Sequence, residues 1–222
     1  MKLSVVITAG GTSSRYGQTN KLLEKIDGKE VIIHSIEAFL PFNPAEIIIS
    51  TSESLEKPIV QLLKEYNLTN IKLVRGGFTR QQSVFNALNA CVYRELVAIH
   101  DAARPLAKQD DIAKCIQKAA KTKAAIVAVR AVDTIKRVDE NLKIVETPNR
   151  ETLWYVQTPQ IFDYSLIMDA HNTLEGLSFS DDAGMLESLG IDVFISEGSY
   201  SNIKITTKKD IYLAQMLYAN QE

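Results

Sequence analysis

Three segments of this chain concentrate side chains able to hold a phosphorylated ligand. In the first, Val5-Val6-Ile7 runs into Thr8-Ala9-Gly10-Gly11-Thr12-Ser13-Ser14-Arg15, and Lys21 follows six residues after the arginine. Small residues after a strand let backbone N–H groups approach an anion without obstruction. Arg15 and Lys21 place positive charge where a polyphosphate would need it. The spacing is neither a Walker loop, which needs Lys-Ser or Lys-Thr after its last glycine, nor the Gly-x-Gly-x-x-Gly of dinucleotide sites. An ordinary strand-to-helix connection also uses glycine and serine, so this loop alone leaves both readings open.

The second segment is Arg75-Gly76-Gly77-Phe78-Thr79-Arg80-Gln81-Gln82-Ser83. Backbone donors, two hydroxyls and Arg80 would serve a ligand, and the same residue types would serve a helix N-terminus. The third is His100-Asp101-Ala102-Ala103-Arg104-Pro105, after the apolar run Leu96-Val97-Ala98-Ile99. A carboxylate at a strand's carboxyl end holds a metal or a ligand hydroxyl, so Asp101 is a candidate binding residue. Arg104 either pairs with it or contacts phosphate. Further cations stand at Lys136, Arg137, Arg150 and Lys204, the last between two isoleucines. Asp181-Asp182 reads as the acidic first turn of a helix.

Elements able to position these residues alternate along the chain. Strand-like apolar runs cover residues 3–8, 46–51, 71–75, 96–100 and 124–129. Helical patterns lie between them at 31–39, 59–66 (with Pro58 in a first turn), 81–91 and 110–121. This β-α repetition predicts an α/β fold with a doubly wound, mostly parallel sheet. Ligands then bind beyond the carboxyl ends of the strands, where all three segments fall. The alternation breaks after residue 129. Runs at 131–138 and 142–146 flank Asp139-Glu140-Asn141 and predict an inserted β-hairpin. A lone hairpin is marginally stable, so it packs on its own domain or on a partner subunit. A strand at 153–156, a turn at Thr158-Pro159-Gln160, helices at 164–171 and 181–189, and strands at 193–196 and 202–205 follow. The last helix opens with a capping box at Thr207-Lys208-Lys209-Asp210.

The 222 residues are 45% hydrophobic and 23% charged, with a net charge of -2, which places the chain among ordinary globular proteins. The charge balance gives no support to nucleic-acid or membrane binding. No apolar stretch approaches the ~20 residues of a membrane span, and no signal peptide is expected. Cys91 and Cys115, both beside aliphatic residues, read as buried free thiols suited to the cytoplasm. His34, His100 and His171 show no zinc-ligand spacing.

Read together, the segments resemble the nucleotide-diphospho-sugar transferase superfamily. More narrowly, residues 3 to 215 resemble the 2-C-methyl-D-erythritol 4-phosphate cytidylyltransferases. Ala9-Gly10-Gly11 with Ser13 and Arg15 marks only the superfamily. The run of His100 to Pro105, Asp133-Thr134-Ile135-Lys136-Arg137, Thr158-Pro159-Gln160 and Asn202-Ile203-Lys204-Ile205-Thr206, in that order, is far more specific. The resemblance implies a single Rossmann-like nucleotidyltransferase domain over residues 1–222, with a dimerisation arm at about 131–152. It implies transfer of CMP from CTP to a sugar-alcohol phosphate with release of pyrophosphate.

Carried over residue by residue, Arg15 and Lys21 would hold the triphosphate, and Lys204 would reach the reacting phosphates. Ala9, Gly10, Gly11, Gly77, Arg80, Ser83, Asp101 and Ala102 would line the nucleotide site. Asp101, Arg104, Thr134, Arg150, Thr158 and Ser180 would meet the acceptor, with Thr134 and Arg150 supplied to a neighbour's site in an arm-exchanged homodimer. Arg150 would count among the catalytic residues with Arg15, Lys21 and Lys204. Mg2+ would be held mainly by CTP phosphates, so no protein metal ligands are assigned. The chain departs from the family's usual pattern around Lys21, where Asn20 stands for proline and Leu22 for glutamine, and at Ser13 and Ser180.

The acceptor's phosphate monoester has a second pKa near ~6 and is already an ionised nucleophile at neutral pH, so the chemistry needs no general base. Ribitol 5-phosphate cytidylyltransferases share the fold and CTP site. Ala103 and Lys136 favour methylerythritol phosphate over that acceptor. A catalytically idle nucleotide-binding protein on the same fold is the third reading, and the retention of Arg15, Lys21, Asp101, Arg150 and Lys204 speaks against it.

Overall fold

The computed structural model describes residues 1–10, 16 and 20–220. Its strands are β1 (Leu3–Ala9), β2 (Lys25–Ile26), β3 (Lys29–Glu30), β4 (Glu46–Thr51), β5 (Ile71–Arg75), β6 (Leu96–Asp101), β7 (Ala124–Arg130), β8 (Arg137–Val138), β9 (Ile144–Glu146), β10 (Trp154–Asp163) and β11 (Phe194–Glu197). Its α-helices are α1 (Val31–Glu37), α2 (Glu53–Glu65), α3 (Arg80–Asn89), α4 (Gln109–Thr122), α5 (Tyr164–Thr173), α6 (Asp182–Ser188) and α7 (Lys208–Ala219).

Seven strands form the central sheet in the order β11-β7-β10-β6-β1-β4-β5. All neighbours are parallel except β10, which runs antiparallel between β6 and β7. Strands covered on both faces read as continuous apolar runs, and β1, β4, β6 and β7 do so. Alternate residues feed two cores. Val5, Ile7, Ile47, Ile49 and Ala98 pack with α1, α2, α4 and α7. Val6, Ile48, Val97 and Ile99 pack with α3, α5 and α6. The parallel register sets Thr8 of β1 beside Asp101 of β6. The polar ends of these strands, and the loop after β5, therefore open on one edge of the sheet.

Four local expectations give way. Residues 202–205 form no strand, because their polar groups go to the loop after β6. Ile205 donates its N–H to the Ala103 carbonyl at 2.8 Å, and Arg104 donates to the Asn202 carbonyl at 2.7 Å. Thr158-Pro159-Gln160 is no chain reversal. It lies inside β10, where the register against β7 shifts between Val156 and Gln160 and the Thr158–Pro159 bond is cis. Pro58 sits inside α2, which starts a turn earlier at Glu53 and buries Leu55. The hairpin strands β8 and β9 are shorter than the apolar runs that announced them. The Asp139 carboxylate closes their turn by accepting from the N–H groups of Asn141 and Lys143. At the end of the chain the capping box forms as expected, with Asp210 accepting from Thr206 and Thr207.

Candidate active site

Asp101 ends β6 and is 6% exposed. Four groups converge on its carboxylate. Lys204 Nζ lies 2.6 Å from Oδ2, Arg80 Nε lies 3.1 Å from Oδ1, and Arg104 Nε lies 4.0 Å from Oδ2. The Thr8 hydroxyl donates to Oδ1 at 3.3 Å. Burial alone would push this carboxyl up. The charges of Arg80, Lys204 and Arg104 overcome burial and hold it far below the ordinary carboxylate range. Lys21 joins the cluster by donating to the Ile205 carbonyl at 2.7 Å, next to Lys204. The structure thus brings together Lys21, Arg80, Asp101, Arg104 and Lys204 from widely separated segments.

Arg80 also reaches Asp182, its Nη1 standing 2.8 Å from Oδ2. Asp182 is 1% exposed at the start of α6. Burial pushes its carboxyl up, and Arg80 opposes that shift. Arg80, Arg104 and Lys204 therefore face Asp101 and Asp182, and Lys21 adds a further cation beside them, so positive charge is in excess at this edge. Sequence reasoning missed the pair because both acids of Asp181-Asp182 suit a helix start. Only Asp181 caps, accepting from the Gly184 N–H at 3.1 Å. The signal was the doubling itself, since one cap needs one carboxylate. Gln160 fixes this corner. It donates to Asp181 at 2.7 Å and accepts from the N–H groups of Asp182 and Ala183.

A second chain of bonds sets the backbone of the 100–104 segment. The Asp101 N–H donates to the Thr158 hydroxyl at 3.0 Å. That hydroxyl's own hydrogen then goes to His100 Nδ1, 3.1 Å away, leaving Nε2–H to donate to the Arg104 carbonyl at 3.1 Å. His100 is thereby a neutral imidazole of defined tautomer. Burial lowers its pKa to about 4, which agrees. Thr158 thus supports Asp101 and the His100 ring directly.

The two glycine loops meet at Ser83. A methyl group at Gly76 would stand 3.0 Å from the Ser83 hydroxyl and one at Gly10 would stand 3.4 Å from it. The Gly77 N–H donates to that hydroxyl at 3.0 Å. At Gly77 a methyl group would overlap the Gln82 side chain. Ala9 and Ala102, both buried, floor the same edge. Gly11 and Arg15 lie outside the described residues. Thr134, Arg150 and Ser180 are exposed. Arg150 donates to the Val132 carbonyl at 2.9 Å within the arm, and Ser180 precedes the α6 cap.

A strand-end carboxylate ringed by cations, opening between two glycine loops, has the charge and the open backbone that a phosphate-rich ligand needs. The model of the 2-C-methyl-D-erythritol 4-phosphate cytidylyltransferase family matches residues 3–220. The chain belongs to that family. Among its relatives is the family enzyme of Bacillus licheniformis, 41% identical, the match covering 98% of this chain and 96% of that one. That of Halalkalibacterium halodurans is 39% identical over 100% and 99%. Among solved structures, 4-diphosphocytidyl-2C-methyl-D-erythritol synthase of Anaerococcus prevotii superposes with a TM-score of 0.88 at 32% identity, covering 98% of each chain. The family's cytidylyltransferase of Thermus thermophilus gives 0.82 at 30% identity, covering 99% of this chain and 100% of that one. Among the described residues of this family member, no group of three or more His, Cys, Asp or Glu side chains is placed to hold a metal ion.

Proposed function

We propose that this protein transfers CMP from CTP to 2-C-methyl-D-erythritol 4-phosphate, releasing pyrophosphate, as a step of isoprenoid precursor synthesis. The observation that carries the reading is the surplus of cations around Asp101 at the carboxyl edge of the sheet. An oxygen of the acceptor's phosphate attacks the α-phosphorus of CTP. A new P–O bond forms as the bond from that phosphorus to the β-bridging oxygen breaks, and the electron pair leaves with pyrophosphate. The monoester is already ionised near neutral pH, so positioning and charge stabilisation are the tasks left to the protein.

Lys21 and Lys204, with Arg15, hold the phosphates. Gly10, Gly77 and Ser83 leave room for the nucleotide to approach the backbone. Asp101 and Arg104 bind the acceptor, joined by Ser180, and Thr158 positions Asp101. Mg2+ would be held mainly by the CTP phosphates, since the described residues offer no carboxylate cluster for it. When bound, it neutralises charge on the triphosphate.

The working unit in this reading is a homodimer with exchanged arms, in which Thr134 and Arg150 complete the neighbour's site. The arm exposes Val132, Val138, Leu142, Ile144 and Val145, an apolar surface that calls for a partner. We take residues 1–222 as one domain and 131–152 as its arm. Cys91 and Cys115 are buried free thiols, which accords with a cytoplasmic setting. Among the described residues no helix is long and apolar enough to cross a membrane.

Pyrophosphate release with CTP and Mg2+ tests the reading when 2-C-methyl-D-erythritol 4-phosphate and ribitol 5-phosphate are compared as acceptors. A preference for ribitol 5-phosphate, or no release with either, would reject it.

A further inference from the structure

Phe78 is the most exposed large apolar residue described in this chain, with a relative exposure of 104%. The fold makes no use of its ring. Its backbone, by contrast, is tied down. The Phe78 N–H donates to Gln82 Oε1 at 2.9 Å. The preceding Gly77 N–H is held by Ser83, and the following Thr79 caps α3 by accepting from the Gln82 N–H at 3.0 Å. An apolar ring is therefore presented to solvent from a fixed loop, which leaves its apolar surface in water and gains no packing.

The position of that loop decides what the ring can meet. Gly77 lies where the two glycine loops converge on Ser83. Arg80, two residues past Phe78, reaches Asp101. Phe78 thus stands on the rim of the opening, on the Ser83 side. The phosphate-holding lysines belong to the other segments, around Ile205. A flat apolar ring at one end of a cation-lined opening matches a ligand with a flat base at one end and phosphates at the other. Stacking on an aromatic ring is worth enough per base to set affinity.

We propose that Phe78 is a binding residue of the reaction, the platform on which the pyrimidine base of CTP stacks. The inference rests on the cytidylyltransferase reading. The ring covers one face of the base and excludes water from it. Because this contact is the same in the ground state and the transition state, its loss falls on KM for CTP.

In the full-length enzyme, Phe78→Ala is expected to raise KM for CTP by ~10-fold or more, the range that stacking energies give. kcat at saturating CTP stays within about twofold, and KM for the acceptor and Tm are unmoved. Phe78→Tyr restores the wild-type KM. A KM for CTP within twofold of wild type in Phe78→Ala would overturn the inference, as would a change confined to subunit association. A direct arm reads Phe78→Trp fluorescence, corrected for Trp154 by the parent protein. Quenching by CTP and none by inorganic tripolyphosphate is expected, and equal responses to both would overturn the proposal. Should the parent enzyme transfer no CMP, the function reading fails, and this binding arm still decides whether a base meets Phe78.

Discussion

In the proposed role Lys204 would serve catalysis far more than folding, and replacing it by alanine measures both. Its ammonium lies 2.6 Å from Asp101, yet its side chain is 41% exposed, against 9% for Asp101. Removing it takes away the ammonium nearest to Asp101 and lowers the positive excess of the cluster, leaving Arg80 and Arg104 on Asp101 and Asp182 with Lys21 beside them. A lost stabiliser of developing charge costs ~10²–10³ in kcat, or about 3–4 kcal/mol. The stability cost is far smaller. Asp101 keeps Arg80 at 3.1 Å and the Thr8 hydroxyl, and a half-exposed ammonium contributes about 1 kcal/mol or less. For a chain of this size that is a fall in Tm of roughly 2–4 °C. Steady-state pyrophosphate release and thermal unfolding, measured on wild type, Lys204→Ala and Lys204→Arg, give both quantities, with the arginine variant expected to keep more of the rate. A kcat for Lys204→Ala within threefold of wild type would refute the assigned role. A fall in Tm beyond about 10 °C with proportionate loss of activity would show the lysine to be structural.

Acid should weaken the fold through its buried histidines. His100 and His171 are buried, and burial lowers each pKa from 6.5 to about 4. Between those values the unfolded chain binds protons that the native state refuses, so stability falls as pH drops from 6.5 toward 4. The loss reaches roughly 3 kcal/mol per histidine. Urea midpoints across that range should decline, and should decline less in His171→Leu; parallel curves would reject the account. Thr158→Val removes the hydroxyl between the Asp101 N–H and His100, and is expected to cost about 1–3 kcal/mol while Thr158→Ser costs little. Imidazole ¹⁵N shifts should report the Nε2–H tautomer of His100 in wild type, and the opposite tautomer would break the proposed chain of bonds. Mixing inactive Lys21→Ala and Arg150→Ala proteins should recover activity through heterodimers. No recovery despite demonstrated subunit exchange would rule out a shared site.

The sheet was legible because its strands are buried on both faces, so β-branched runs and connecting helices announced themselves. Much of the site was legible too, since glycine loops and strand-end acids are local signals. Residues 202–205 misled because alternation of Ile203 and Ile205 looks the same whether the partner is a strand or the loop at Ala103. Asp182 was passed over for a related reason. Its partner Arg80 is distant in sequence, and the two meet only once α6 has packed against α5 and α5 against α3. Gln160 looked like a turn residue because proline precedes it, and its amide in fact holds the start of α6.

Asp101 also makes the resting enzyme its own counter-ion. The cations that would meet phosphate already hold an anion, so an arriving triphosphate swaps partners with a resident carboxylate. Fewer bulk ions are released than the number of lysines and arginines would suggest. Ionic strength should therefore govern the affinity for CTP only weakly, and the Asp101→Asn enzyme, with nothing to exchange, should show a steeper dependence of KM on salt.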